Sequence, residues 1–193
     1  AEINPFCQVT LVEDFIDLEN IETLVANQGF DYVVDAIDSV KPKAALIAWC
    51  SANKMPLVVV GGAGGQIDPT KVEIRDLART AQQPLLKKVR KLLRAQYGFS
   101  RGEKQKYHID AVFSMEPLRY PDTGEACEID DSGITGLNCA GFGSCMVVTA
   151  TFGMVTAGQV LRRLAEAANA NAQAQAVTAA AGQTVQAEAA LLS

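Results

Sequence analysis

The sequence predicts an α/β domain built on a doubly wound, mainly parallel sheet with flanking helices. Two apolar runs, residues 32–37 and Leu57–Val60, read as strands buried on both faces. A helix-patterned segment separates them, and a helical crossover joins parallel strands. Strand-like and helix-like segments alternate from residue 8 to residue 60, the order expected of such a sheet.

Taken in order, residues 8–14 (QVTLVED) carry β-branched side chains and predict a first strand. Asp17 is placed to cap a helix running to about residue 27, with Ile21, Leu24 and Val25 on its packing face and Gly29 as its stop. After the strand over 32–37, Asp38 or Ser39 precedes a helix. Its early Pro42 suits a first turn, and Val40, Ala44, Ile47 and Ala48 form its packing face. The strand Leu57–Val60 ends in the run Gly61-Gly62-Ala63-Gly64-Gly65. Beyond it, residues 71–76 (KVEIRD) alternate as a strand and residues 85–94 (LLKKVRKLLR) form an amphipathic helix. Short strands are expected at 111–115 and 118–120, and an acidic loop at 122–131.

Residues 144–161 are mostly apolar and lie at the lower length limit for crossing a bilayer. Thr149, Thr151, Thr156, Gln159 and several small residues favour a tightly packed core or interface helix, with membrane attachment through 144–161 as the alternative. From Ala165 onward Ala, Gln and Asn dominate. The division expected is therefore a domain over 1–164 and an Ala/Gln-rich low-complexity tail over 165–193, mobile or only partly helical.

A chain of 193 residues with 49% hydrophobic and 20% charged residues supports one globular domain with a sizeable core. Its five cysteines are odd in number and contain no Cys-x-x-Cys pair. Zinc ribbons and disulfide scaffolds are therefore poorly supported, and a reducing cytoplasm fits best. Cys50, within an apolar helix, reads as a buried, inert thiol. The opening AEINPFC has no Met and no signal-like start, and it reads as the end of an element cut in the middle.

In parallel sheets ligands sit at the carboxyl ends of the strands. Asp38 and the glycine run both fall at that edge. The glycines fail the dinucleotide fingerprint, which needs glycines spread over six positions and a helix directly after; here Gln66-Ile67-Asp68-Pro69 follows. A structural turn and a ligand-lining loop both remain open for Gly61, Gly62, Gly64 and Gly65. Asp35 and Asp38 lie three apart across a strand end, so one is expected to cap the next helix while the other meets a ligand. Asp38 is the sharper candidate.

The chain is acidic overall, at −5, yet residues 79–106 hold nine cations against one acid, Glu103. Lys87, Lys88, Arg90, Lys91 and Arg94 share one helix face, with Tyr97, Phe99 and Tyr107 nearby. A solvated face usually mixes signs, so this block reads as a footprint for a phosphate backbone. His108 is the lone histidine, and no triad or metal site is built on it. Cys139 leads into a helix start that could lower a thiol's pKa; a buried small hydrophobe is the alternative.

The segments YVVDAIDSVKPKAALIAWC, VVVGGAGGQIDPTKVEIRDLA, VFSMEPLRYP and CAGFGSCMVVTATFGMV resemble the tRNA threonylcarbamoyladenosine dehydratase family. That family belongs to the adenylating superfamily that also activates ubiquitin-like and sulfur-carrier proteins. The resemblance covers about residues 1–164. It implies a Rossmann-like adenylating domain, a cytoplasmic homodimer that uses ATP and Mg²⁺ to activate the carboxylate of threonylcarbamoyladenosine beside the tRNA anticodon, and ring closure through an acyl adenylate.

It also implies roles for residues. Asp38 would serve near the ATP phosphates and Mg²⁺, with Ser39 beside it, and Gly61, Gly62, Gly64 and Gly65 would line the pocket near the activated acyl group. Cys139 falls where sulfur-carrier-activating relatives keep a reactive cysteine. With tRNA as partner, Lys87, Lys88, Arg90, Lys91 and Arg94 become its expected contacts. The superfamily's Gly-x-Gly-Gly-x-Gly phosphate loop, ribose-binding acid, arginine and lysine are not found here. The domain is therefore expected to lack its N-terminal, phosphate-binding part. Two alternatives stay open: adenylation of the C-terminus of a small sulfur-carrier or ubiquitin-like protein, and a non-catalytic platform for tRNA or for sulfur-transfer proteins of a cysteine desulfurase system.

Overall fold

The computed structural model describes residues 3–26, 28–102, 105–119 and 143–191, with side chains as far as residue 175. The elements run α1 (Ile21–Leu24), β1 (Val33–Asp35), α2 (Val40–Ala52), β2 (Leu57–Val60), β3 (Val72–Asp76), α3 (Pro84–Gln96), β4 (Asp110–Ser114) and α4 (Met146–Leu191). One sheet has the order β1-β2-β4-β3. β1, β2 and β4 are parallel, while β3 closes the edge antiparallel to β4, pairing Ile74 with Val112. The mainly parallel α/β sheet expected from the sequence is present.

Pleating divides the sheet's side chains between two layers. Leu57, Val59, Ala111 and Phe113 pack with Leu46, Ile47 and Cys50 of α2 and with Leu86, Val89 and Leu93 of α3. Val58 and Val112 instead meet Val148 and Phe152 of α4. The central strands are thus covered on both faces, which is why they read as continuous apolar runs. Six of the 13 residues of α2 are buried as well, and they include one lysine, Lys43.

Several expectations are corrected. Residues 8–14 form no strand; Val9, Leu11 and Val12 are exposed, and no described strand pairs with them. β-propensity yields a strand only where a neighbouring strand and a packing surface exist. The helix expected from Asp17 shrinks to the single turn of α1. Asp17 Oδ1 accepts hydrogen bonds from the backbone N–H groups of Glu19 and Asn20 at 2.8 and 3.1 Å, the capping geometry expected of it, ahead of this short helix. Leu118 and Arg119 lie outside any strand, and the acidic stretch 122–131 lies outside the described residues.

Where a mobile or only partly helical stretch is expected, residues 165–191 continue α4, a helix of 46 residues. Alanine has the highest helix propensity, and no proline interrupts the segment. Its first part covers the expected 144–161 helix but packs by one face only: Val148, Phe152, Thr156 and Gln159 are buried, while Met146, Met154 and Leu161 are exposed. Among the described residues no helix is long and apolar enough to cross a membrane, so the bilayer-spanning alternative for 144–161 is set aside.

Candidate active site at the carboxyl edge of the sheet

β1, β2 and β4 share a direction, so their carboxyl ends form one rim. The β1 end carries Asp35 and the turn to α2, the β2 end carries the glycine run, and the β4 end carries Ser114 and Glu116. Three buried side-chain oxygens without a hydrogen bond stand out among the described residues: Asp35 Oδ2, Gln66 Oε1 and Glu116 Oε1. All three belong to the segments that leave this rim. Of the three, Glu116 Oε1 is ion-paired with Arg119 Nε at 3.4 Å; buried side-chain oxygens without a hydrogen bond are uncommon in folded proteins.

At the end of β1, Asp35 is wholly buried and its Oδ1 lies 3.0 Å from Lys43 Nζ. The same oxygen accepts the Ile37 N–H at 3.0 Å. Burial pushes the Asp35 carboxyl above the ordinary carboxylate range and the Lys43 ammonium below its own; each shift is opposed by the other's charge. Asp35 therefore anchors the turn from within. Asp38, past the end of the strand, is exposed and accepts no hydrogen bond from the described residues. Ser39 is the N-cap of α2, but its side chain makes no capping bond. The helix-cap reading of these acids thus fails, and Asp38 is left as a carboxylate open to a ligand.

The glycine run has structural work of its own. The Gly61 N–H donates to Val112 at 2.8 Å, and the Gly65 N–H donates to Gly143 at 3.0 Å. The Gly62 carbonyl accepts a 2.6 Å bond from Gln83 Nε2, and Gly64 forms a bridge with Ser144. A Cβ at Gly61 would lie 3.1 Å from Gln83 Cγ and 3.3 Å from Leu86 Cδ1. Gly65 has φ +71°, which favours glycine. The run joins β2 to α3, to the start of α4 and, through the Arg119 N–H on the Gly65 carbonyl, to the segment after β4. Next to it Glu116 Oε2 accepts the N–H groups of Ile67 and Asp68 at 2.8 and 2.7 Å.

The basic face of α3 is present as expected, but its cations differ. Lys87, Lys88 and Lys91 are exposed. Arg90 is half-buried and donates to Thr80 Oγ1. Arg94 donates from Nε to Tyr107 Oη at 2.7 Å and sits over its ring. Together with Pro84 and Arg101 these five cations line a groove of about 760 Å³. A smaller groove of about 400 Å³ continues past Gln82 and Gln83 to Leu118, toward the rim. A larger one, about 950 Å³, opens at the opposite edge, among Tyr32, Leu57, Asp110 and Arg163. Strand polarity, not volume, makes the rim the candidate site.

Sequence reasoning missed Lys43, Gln66, Gln83 and Glu116, all buried. Cys139 lies outside the described residues. Cys50 is buried as expected, and burial pushes its thiol up to about 12. Among the described residues no group of three His, Cys, Asp or Glu could hold a metal ion by itself.

The decisive comparison is with protein families: the ThiF family profile matches residues 1–190. The chain belongs to the ThiF family. This ThiF family chain is 49% identical to tRNA threonylcarbamoyladenosine dehydratase of Haemophilus influenzae over 163 residues, which is 84% of this chain and 60% of the relative. To the Escherichia coli enzyme of that name it is 47% identical over 167 residues, 84% of this chain and 62% of the relative. The crystal structure of E. coli tRNA N6-threonylcarbamoyladenosine dehydratase in complex with ATP superposes with a TM-score of 0.73 at 46% identity, covering 87% of this chain and 61% of that one. The complex with AMP gives a TM-score of 0.74. The chain thus spans about three fifths of the length of these relatives.

Proposed function

We propose that the protein carrying this chain cyclises threonylcarbamoyladenosine in tRNA, in an ATP-dependent dehydration that passes through an acyl adenylate. The observation that carries this reading is the rim itself. In a ThiF family chain 47–49% identical to dehydratases of that name, the carboxyl edge presents an unbonded acid, Asp38, beside a glycine-rich wall. The joined grooves from α3 toward Leu118 support tRNA as the substrate.

A carboxylate is a poor electrophile, and adenylation supplies the missing leaving group. A carboxylate oxygen of the modified base attacks the α-phosphorus of ATP and pyrophosphate leaves. Attack from within the same base then closes the ring and expels AMP, which keeps that oxygen. The second step is intramolecular, so holding the base in place contributes much of its rate. No covalent enzyme nucleophile is needed, and Cys139 has no step assigned to it.

The residues present fit a Mg²⁺ ion bound largely through the nucleotide. Mg²⁺ commonly takes one or two carboxylates plus phosphate oxygens and waters, and Asp38 is an exposed carboxylate with its oxygens unengaged. When bound, the ion would neutralise charge building up on the phosphates. Asp38 and Ser39 form the phosphate side of the site; Gly61, Gly62, Gly64 and Gly65 form the acyl side. A cytoplasmic homodimer is part of the same proposal.

The test gives the complete protein ATP, Mg²⁺ and tRNA bearing the linear modification, then digests the tRNA for mass spectrometry. Loss of one water from that nucleoside, dependent on ATP, is the expected result. A nucleoside of unchanged mass would refute the proposal.

A further inference from the structure

Lys43, in the first turn of α2, is a wholly buried charge, with a side-chain exposure of 0%. A protonated lysine has three N–H donors. Here all three have acceptors: Asp35 Oδ1 at 3.0 Å, the Asp35 carbonyl at 3.2 Å and the Ile37 carbonyl at 3.0 Å. A neutral amine could not supply three donors, so the contact set calls for the ammonium. Its acceptors are the last residue of β1 and the middle of the turn that leads to Asp38 and Ser39.

Packing alone does not explain this residue. An apolar side chain of similar volume would fill the same space without the desolvation that a buried ion pair carries. What the ammonium adds is a fixed grip on two backbone carbonyls and one carboxylate oxygen. That oxygen in turn holds the Ile37 N–H. Ser39 contributes no side-chain cap that could define the turn instead.

We propose that Lys43 is a positioning residue for the nucleotide chemistry: paired with Asp35, it locks the turn between β1 and α2 so that Asp38 and Ser39 are held ready at the rim. The proposal rests on the reading of Asp38 given above. Lys43 touches no substrate in this scheme and acts only through the turn.

Two variants of the complete protein keep the test interpretable if the first fails to fold. Lys43→Met leaves the Asp35 carboxylate buried without its partner. The double variant Asp35→Asn/Lys43→Met removes both charges at nearly constant volume and is expected to fold. In the nucleotide-free double variant, amide hydrogen exchange in the turn over 36–39 should quicken at least about tenfold while β2 and β4 stay protected. Its kcat/KM for ATP-dependent cyclisation should fall at least about tenfold through misplacement of the turn. Adding Asp38→Ala to it should cost much less than Asp38→Ala costs the parent, because both changes disable one device.

Unchanged exchange in the turn, or full additivity of the two changes, would overturn the positioning role. If Asp38→Ala alone leaves cyclisation intact, the role of Asp38 falls, and the positioning of Asp38 by Lys43 falls with it. Absence of cyclisation in the parent protein is a different failure, that of the functional proposal itself. The exchange measurement still decides whether Lys43 holds the turn.

Discussion

Gln83 Nε2 donates a 2.6 Å hydrogen bond to the carbonyl of Gly62, while Gln83 Oε1 accepts the N–H of Leu86 at 3.2 Å. One buried side chain thereby caps the helix that carries the basic face and fastens it to the glycine run at the rim. The surface proposed for tRNA and the proposed acyl side of the site are tied through a single amide.

Removing that amide should be felt in stability. Gln83→Ala loses the cap and leaves the Gly62 carbonyl without its partner, which should lower the urea midpoint by the equivalent of about 1–2 kcal/mol. Gln83→Glu keeps an acceptor for Leu86 but sets a carboxylate against the Gly62 carbonyl. It should be at least as destabilising, and equal stability to the parent would show that the glycine-run bond contributes nothing.

The basic face should act through its exposed lysines. Lys87→Ala, Lys88→Ala and Lys91→Ala together should weaken tRNA binding and reduce the slope of log affinity against log salt by about one for each phosphate no longer neutralised. Arg94 is left out because it is bonded to Tyr107, and its loss would confound binding with stability. Filter binding over a salt series is the measurement; an unchanged slope would remove these lysines from the tRNA footprint.

Cys50 predicts a pH dependence. Its folded pKa of about 12 stands above the ordinary 9.0, so it contributes stability that is whole below pH 9.0 and lost as pH rises through about 12. Near neutral pH, Cys50→Ala should be less stable than the parent by roughly 1 kcal/mol, from the lost buried group. Denaturant titrations should find that gap closing above pH 9.0. In the folded protein an alkylating reagent should modify exposed Cys7 and spare Cys50.

Much of the fold was legible because its signals are local. β2, β3 and α3 fall within a residue or two of the expected limits and α2 starts where expected, each marked by an apolar run, strict alternation or an amphipathic or packing face. Residues 8–14 carried the same β-branched signal, but a strand also requires a partner, and a partner is not written in the segment itself. The Ala-rich end was misjudged because few large apolar residues anchor it, while its propensity favoured helix throughout.

In the site, Asp38 and the glycine run were visible from their place after apolar strands. Lys43 was not, because a lysine in a helix is normally assigned to solvent. A signal was available. Lys43 stands three residues after Val40 and four before Ile47, on the packing face of α2, whereas Lys41 is exposed. A charge on that face is buried, and a buried charge needs an opposite charge within reach. Asp35, the acid inside the preceding strand, was the available partner. Gln66, Gln83 and Glu116 left no comparable trace, since their bonds join segments far apart in sequence.

The acyl adenylate is tested most directly by following the oxygen. The modified nucleoside is prepared in tRNA with heavy oxygen in the threonyl carboxylate and turned over by the complete protein with ATP and Mg²⁺. Adenylation predicts one heavy oxygen in the AMP released and none in inorganic phosphate. Label in inorganic phosphate, or cyclised nucleoside formed with unlabelled AMP, would contradict it.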